Sequence, residues 1–434
     1  MNFGFKSLLR FSLILPLFLN SQTDTLRLSR TEYGQKLQGF WLAECIANWT
    51  GLVTEMDKIG NIGEIQTGDF YTREDWGKPD QPSIFDPENI SPWSKTIDFV
   101  FRGPDEIWGA DDDTDIEYMY QYLMATQNTP VLSGNQIREG WLKHIRTEEE
   151  NYLWVSNQQA LDLMQEGIIP PETSNPDINP DYDMIDAQLT TEIFGLLAPG
   201  RPDLGLKMAY LPIRTTARKE AASISEFYVH MHALAAIEHS SKSMKERLFT
   251  IASKAREHLP ENEFPAKMYD FVKAQYDSGI PWEAARDAIY ERYQVKGEDG
   301  YDVTSRNLYC NGCFAAGINF AASLVSLFYG EGDLKETLKI GVLCGWDSDN
   351  PTATWGGLLG FMLGKSGVEA TFNRKFSNRF NIHRTRQNFP DNGIDTFENM
   401  AQMGQSIIDL VVKDLAAGNY DSTKDEWLIP LVRE

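Results

Sequence analysis

The chain has 434 residues, of which 42% are hydrophobic and 12% are aromatic, enough to bury a large core in one domain or two. Its formal net charge at pH 7 is −23, from 40 basic and 63 acidic residues. So acidic a protein lacks the excess of lysine and arginine typical of nucleic-acid-binding proteins, and its charge disfavours docking to anionic lipid.

The N-terminus predicts a cleaved signal peptide. Lys6 and Arg10 precede an apolar run of nine residues, 11–19, and cleavage is expected near Ser21. Nine residues are too few to span a bilayer, and no later stretch is long enough, so we expect no membrane insertion after cleavage. Loss of residues 1–21 leaves 38 basic and 63 acidic residues, a net charge of −25. The mature protein is therefore expected to be exported, either periplasmic or secreted.

The first segment after this peptide predicts a helix over residues 29–55. Apolar side chains recur there at helical spacing, and small residues follow one another at strict intervals of four. The apolar positions are Tyr33, Leu37, Phe40, Trp41 and Ile46, and the small ones are Gly39, Ala43, Ala47 and Gly51. A row of small residues allows close contact with a neighbouring helix. Glu55 lies one turn beyond that row.

Residues 60–105 are rich in glycine, proline, aspartate and aromatic residues, and they show no lasting period. We expect an ordered loop that covers a cleft. Its aromatic residues either pack or offer stacking faces to a substrate, and packing is the commoner role. The rings concerned are Tyr71, Trp76, Trp93 and Phe101.

Four aspartates mark the start of the next predicted helix, at positions 111, 112, 113 and 115. Apolar residues follow at positions 116, 119, 120 and 123, which is the spacing of one helical face. Attraction to the helix dipole accounts for one or two acids, at about 0.3–1 kcal/mol each. Three adjacent carboxylates repel one another, and no nearby basic residue neutralises them. A cation is therefore expected among them, with an unusually acidic helix cap as the alternative.

The rest of the chain is mostly helical in pattern. Helices are predicted over 189–197, 224–239, 243–258, 267–278, 282–293, 312–329 and 334–343, with turns at 198–203. No alternating strand pattern lasts for more than a few residues, and no fixed-period repeat occurs. The predicted fold class is all-α, in a single domain.

Two weaker patterns involve cysteine and histidine. Cys310 and Cys313 have the spacing of a redox motif, and an oxidising compartment allows a disulfide between them. No strand pattern precedes them as in a thioredoxin-type motif, which favours buried or incidentally paired thiols for all four cysteines. His230 and His232 have the wrong spacing for two ligands on one helical face, which favours solvated or core histidines.

The segment 344–351 places Asp347 and Asp349 two residues apart in a predicted loop, where alternate side chains can converge on one hard cation. Pro351 suits the first position of a helix, so Asp349 or Asn350 is expected to cap that helix. The glycines and alanine that follow weaken the helix unless another element packs against it at close range. An ordinary cap with a spare surface acid is the alternative, and the acidic cluster upstream argues against it.

Taken together, these segments resemble the ADP-ribosylglycohydrolase family, which includes the dinitrogenase reductase-activating glycohydrolase. The family's N-terminal pattern, Gly-x3-Gly-x3-Gly-Asp-x2-Gly-x3-Glu, is matched by Gly39, Ala43, Ala47, Asn48, Gly51 and Glu55. Its two metal motifs, Thr-Asp-Asp-Thr and Gly-(Gly/Trp)-Asp-Thr-Asp, fall on residues 111–114 and 345–349. Segments 192–200, 329–334 and 356–360 also look like family segments, so the resemblance covers nearly the whole mature chain.

The resemblance implies an all-α, single-domain orthogonal multi-helix bundle over residues 22–434, with a long loop insertion near 60–105. It implies two Mg²⁺ ions, or Mn²⁺ in their place, bound by Asp111, Asp112, Asp113, Asp347 and Asp349. It also implies that Glu55 is catalytic, either transferring a proton or positioning the nucleophilic water. A surface acid at a helix end is the alternative for Glu55. Asn48 and Trp346 are the implied substrate contacts.

The implied reaction is hydrolysis of an N- or O-glycosidic bond at the anomeric carbon of an ADP-ribosyl group, on a small molecule or an ADP-ribosylated substrate. One alternative is an exported glycosidase that acts on a non-phosphorylated ribosyl or glycosyl compound. Another is a non-catalytic binding or structural relative. The sequence departs from the family pattern at three positions: Asp111 replaces a ligand threonine, Asn48 replaces an aspartate, and Asn350 stands where threonine is common.

Overall fold

A computed structural model describes residue 1 and residues 24–147, 150–237 and 241–431. Beyond residue 1, the predicted signal peptide lies outside the described residues, so its cleavage and the export of the chain stay predictions. No helix in the described ranges has the length and apolar character needed to cross a membrane.

The described ranges contain fourteen α-helices, which confirm the all-α prediction. They are α1 (Arg30–Gly51), α2 (Asp112–Thr126), α3 (Gly134–His144), α4 (Val155–Gln165), α5 (Ile193–Leu196), α6 (Pro202–Thr216), α7 (Lys219–Ala235), α8 (Met244–Arg256), α9 (Phe264–Asp277), α10 (Trp282–Ile289), α11 (Ala316–Gly330), α12 (Leu334–Cys344), α13 (Asp349–Phe372) and α14 (Phe397–Leu410).

The described residues also form three small β-sheets, although the sequence pattern predicts no lasting strand, and two of these sheets join segments that are far apart in the sequence. The strands are β1 (Thr25–Ser29), β2 (Asn61–Ile62), β3 (Ile65–Gln66), β4 (Trp108–Gly109), β5 (Arg379–Asn381), β6 (Ile394–Thr396), β7 (Asn419–Asp421) and β8 (Glu426–Pro430). The sheet orders are β1-β8-β7, β2-β3 and β4-β5-β6, and only the β4-β5 pair is parallel. No strand exceeds five residues, which is too short to produce a clear alternation.

The centre of the fold is the contact between α1 and α13, where the row of small residues on α1 meets the glycines of α13. A Cβ built on Gly39 would lie 2.3 Å from the carbonyl oxygen of Gly360, and one on Gly360 would lie 2.3 Å from the Cβ of Ala43. A Cβ on Gly356 would lie 2.3 Å from the Cβ of Ala47. The two backbones therefore approach more closely than side chains would allow, which confirms that the small-residue helix packs against a neighbour.

Several helix boundaries differ from those predicted. α1 ends at Gly51, so Glu55 lies in a turn, and only α5 is helical within 189–197. α13 begins at Asp349, so Ser348 is its cap in place of the predicted Asp349 or Asn350. Pro351 is the third residue of this helix and not the first. Proline is tolerated there since the first amides of a helix have no intrahelical partner. The sequence pattern did not predict four of the described helices, which are α3, α4, α6 and α14.

The long loop is ordered and packs over the end of α1. Trp93 packs edge-on against Trp49 with ring centroids 4.6 Å apart, and Ser91 donates its hydroxyl hydrogen to the Leu52 carbonyl oxygen at 3.2 Å. Trp76 and Phe101 are half-buried against other aromatic rings of the core. These rings have packing roles, and the loop covers the region in which α1 ends.

The four cysteines and the pair His230 and His232 lie in the interior of the protein. Cys310 and Cys313 form a disulfide, while Cys45 and Cys344 are buried free thiols. His230 and His232 are both buried, which confirms the core alternative for this pair.

Candidate metal centre

The end of α1 and the start of α13 meet without room for a side chain between them. A Cβ on Gly51 would lie 2.2 Å from the Cα of Asp349. The Ser348 hydroxyl donates to the carbonyl oxygen of Gly51 at 3.1 Å and lies 3.0 Å from the Thr54 hydroxyl. These contacts fix the turn that carries Glu55 against the start of α13, where Asp349 lies directly after the loop that carries Asp347.

The start of α2 is brought to the same place by the β4-β5 pair. The Ala110 amide donates to the carbonyl oxygen of Asn381 at 3.0 Å, directly after β4. Asp111 is the cap of α2, and its amide donates to the Thr114 hydroxyl at 3.0 Å. The first acidic motif is thus fixed by a C-terminal strand that is more than 260 residues away in the sequence.

Five predicted acids form two triads that share one member. Glu55, Asp347 and Asp349 offer one carboxylate oxygen each, all within 4.8 Å of one another, and Asp111, Asp112 and Asp349 do the same. Asp349 belongs to both triads. This arrangement suits two neighbouring cations bridged by one carboxylate, and carboxylate oxygens are the ligands that Mg²⁺ and Mn²⁺ prefer.

The donor set fits a cation on structural grounds as well. Oδ1 of Asp349 is buried and has no hydrogen-bond partner among the described residues, which is costly for an oxygen that bears negative charge. Burial first, and then the neighbouring acids, raise the pKa values of Asp112, Asp347 and Asp349 well above the usual range. The same two causes raise the pKa of Glu55 to about 8. A divalent cation among these groups would reverse this direction and favour their ionised forms.

Asp113, the remaining predicted ligand, belongs to neither triad. Its two carboxylate oxygens accept from the side-chain amides of Asn48 at 3.0 Å and Asn350 at 3.1 Å. Burial and the adjacent Asp349 raise its pKa well above the usual range. Two of the departures from the family pattern therefore meet at Asp113, whose position suits a support for its neighbours. Asn48 is fully buried, and its predicted contact with substrate stays a prediction.

Trp346 is fully buried. Its indole N–H donates to the Gln294 side-chain oxygen at 2.7 Å, and its backbone amide donates to the Lys58 carbonyl oxygen at 2.8 Å. Its φ of 57° is unusual for so large a residue. These contacts fix the loop before Asp347, and the contact of Trp346 with a substrate stays a prediction.

Two arginines near the acids escaped prediction. Nη1 of Arg384 donates to Oδ1 of Asp111 at 2.6 Å, and Arg386 forms a fully buried ion pair with Asp115 at 2.8 Å. The expectation that no base neutralises the first acidic motif is therefore wrong. Arg384 and Asp111 are 273 residues apart, so no local pattern in the sequence could reveal the pair.

A cavity of about 140 Å³ adjoins the centre and is lined by Glu55 and by the long loop, including Ser91 and Trp93. Phe85 also lines this cavity and is 44% exposed. Its ring stacks nearly parallel to those of Trp154 and Phe314, with centroid distances of 6.2 and 5.7 Å. The cavity is thus lined by the acids Glu55, Asp57 and Asp86, and exposed aromatic faces lie beside it.

The chain is similar to proteins of one known family. The model of the ADP-ribosylglycohydrolase family matches residues 29–401, which include both triads, Arg384 and Arg386. Among solved structures, a chain described as an ADP-ribosylglycohydrolase-related protein complex is 14% identical, with a TM-score of 0.49 over 87% of this chain and 98% of that one. A comparison with curated proteins finds no match. Since the family match covers most of the sequence, the chain belongs to the ADP-ribosylglycohydrolase family.

Proposed function

We propose that the chain is a metal-dependent glycohydrolase that cleaves an N- or O-glycosidic bond at the anomeric carbon of an ADP-ribosyl group. The observation that carries this proposal is the pair of carboxylate triads joined by Asp349, next to a cavity that Glu55 lines. Bound divalent cations would hold ribose hydroxyls and lower the pKa of a water near the anomeric carbon. Family membership supports the same class of enzyme.

Glu55 is the proposed catalytic acid or base. It belongs to one triad and also lines the cavity, so its carboxyl group lies between the cation position and the space open to a substrate. From there it can orient the attacking water and move a proton to or from it. The remaining carboxylates place negative charge beside the reacting carbon, which stabilises an oxocarbenium-like transition state.

The test is release of ADP-ribose by EDTA-stripped protein, with ADP-ribosyl-arginine and O-acetyl-ADP-ribose as substrates. We expect turnover in millimolar Mg²⁺ or Mn²⁺ and none in EDTA. Asp349→Asn is the control, since it removes the carboxylate common to both triads. Turnover that persists in EDTA would show that the reaction does not depend on a metal.

A second candidate is hydrolysis of a non-phosphorylated ribosyl or glycosyl compound by an exported protein. The exposed faces of Phe85 and Trp154 beside the cavity could stack on a base or sugar ring, and the net charge of −23 disfavours a phosphorylated substrate. Parallel assays with plain nucleosides separate the two candidates. Activity on nucleosides alone would show that the substrate is not an ADP-ribosyl compound, and it would leave the proposed metal centre unaffected.

A further inference from the structure

Arg384 makes direct contact with the acidic turn at the edge of the metal centre. Its Nη1 donates to both Oδ1 of Asp111, at 2.6 Å, and the carbonyl oxygen of Ala110, at 2.7 Å. A Cβ on Gly109 would lie 2.5 Å from Cδ of Arg384, so the glycine leaves the space in which the arginine side chain runs. The β4-β5 pair fixes the backbone on both sides of this contact.

Aromatic rings hold the guanidinium in place. Its Cζ lies 5.1 Å from the ring centroid of Trp49, 5.3 Å from that of Trp93 and 5.4 Å from that of Tyr152. Tyr152 has a φ of 52°, and its carbonyl oxygen accepts from the buried Arg386. The arginine is therefore fixed by its surroundings and is not a mobile surface charge that happens to meet an acid.

The charges of the two residues cancel at the edge of the acidic centre. Asp111 brings one negative charge to a triad that already holds Asp112 and Asp349. Arg384 brings one positive charge to the same carboxylate. The other oxygen of that carboxylate lies 3.4 Å from the amide of Asn48, and an oxygen of Asp111 belongs to the triad with Asp112 and Asp349.

We propose that Arg384 is a positioning residue of the metal centre, which holds Asp111 in place and neutralises its charge. The inference rests on the proposed function, since it concerns the same centre. Without Arg384, Asp111 would add an unpaired negative charge among five other acids. Without Asp111, the guanidinium would lie at the centre without its carboxylate partner and would disfavour binding of a cation there.

The test compares single and double variants by calorimetric titration of metal-stripped protein with Mg²⁺. Asp111→Asn keeps the shape of the side chain, removes the charge of one ligand of one triad and leaves Arg384 without its partner, so it is expected to weaken Mg²⁺ binding measurably. In the double variant Asp111→Asn with Arg384→Met, binding recovers by about fivefold or more relative to Asp111→Asn alone, the coupling expected of two charges in contact. With Arg384→Lys in place of Arg384→Met, the charge stays and no recovery is expected. Arg384→Gln replaces the methionine variant if the latter does not fold.

Arg102 offers a matched control. Its Cζ lies 4.8 Å from the ring centroid of the same Trp49, but no hydrogen bond or ion pair joins its guanidinium to the described acids of the centre. Arg102→Met should not restore Mg²⁺ binding to Asp111→Asn. The inference is overturned if Arg102→Met also restores Mg²⁺ binding to Asp111→Asn, or if Arg384→Met does not restore it. Either result leaves the metal centre itself in place. Absence of Mg²⁺ binding by the unaltered protein overturns the centre and the inference together.

Discussion

Gly51 and Asp349 touch across the junction of α1 and α13, and Asp349 is the carboxylate that both triads share. A Cβ on Gly51 would lie only 2.2 Å from the Cα of Asp349 and 2.8 Å from its Cβ. The geometry of the acids is therefore coupled to the packing of the two central helices. A change on α1 that carries no charge should disturb the metal centre.

The substitution Gly51→Ala tests this coupling. The added methyl group must push Asp349 away, and overpacking of this kind costs about 1–3 kcal/mol of the free energy of unfolding. We expect denaturant unfolding to show that loss and calorimetric titration to show weaker Mg²⁺ binding. Gly103→Ala is the control, because a Cβ there would come no closer than 3.4 Å to the nearest atom, Oε2 of Glu106. Unchanged Mg²⁺ binding in Gly51→Ala would show that the centre tolerates movement of Asp349.

Asp349, which both triads share, and Asp113, which two asparagines bind, should respond differently to loss of their charge. Asp349→Asn removes a ligand from both triads, so we expect no measurable Mg²⁺ binding at millimolar concentration. Asp113→Asn removes only a support, so we expect binding weakened about 10- to 100-fold, as for other residues that orient metal ligands. Calorimetric titration of both variants distinguishes them. Complete loss of binding in Asp113→Asn would make Asp113 a direct ligand.

Glu55→Gln should remove most of the activity, because the amide cannot exchange a proton with the attacking water. Loss of a general acid or base costs about 10²- to 10⁴-fold in turnover. One cation position should survive, since the triad of Asp111, Asp112 and Asp349 does not include Glu55. Asp86→Asn, on the same cavity wall, controls for a simple change of charge. Turnover of Glu55→Gln close to that of the unaltered protein would exclude Glu55 from the mechanism.

The sequence predicted those parts of the centre that lie within one segment each. The small-residue row of α1 and the acids at 111–113, 347 and 349 are local patterns, and the structure brings five of the six predicted acids together. The direction in which a side chain of a motif points depends on the rest of the fold and cannot be predicted from the motif alone. Trp346 lies in a metal motif but is buried in the core, and Asp113 accepts hydrogen bonds from two amides that come from other helices.

Long-range pairs were beyond prediction for a similar reason. The contacts of Arg384 with Asp111 and of Arg386 with Asp115 join residues more than 270 positions apart, and neither arginine stands in a recognisable motif. α6 was missed because Pro202 and the preceding residues are typical of a turn, although proline also suits the first residue of a helix. The strands are too short for periodicity to show them.

The buried His232 predicts how stability depends on pH away from the metal centre. Its Nδ1–H donates to the Tyr228 carbonyl oxygen at 2.8 Å, and Nε2 is buried without a partner among the described residues. Burial lowers the pKa of this ring to about 4 from an ordinary value of 6.5, because a charged imidazole would lose its hydration. The unfolded chain therefore takes up a proton at a higher pH than the folded chain does.

The direction in which stability changes with pH follows from that difference in pKa. Above pH 6.5 both states are neutral at this residue and stability is unaffected, whereas stability falls as the pH drops from 6.5 towards 4, by about 3 kcal/mol in all. His232→Asn retains a donor for Tyr228 but cannot take up a proton, so its unfolding free energy should fall less over this range. Denaturant unfolding of both proteins at pH 7.5, 5.5 and 4.5 in EDTA measures the difference. His383→Asn is the control, since that ring is half-buried and contributes less to the slope. Equal slopes for the unaltered protein and His232→Asn would mean that the buried ring takes up its proton without unfolding the core.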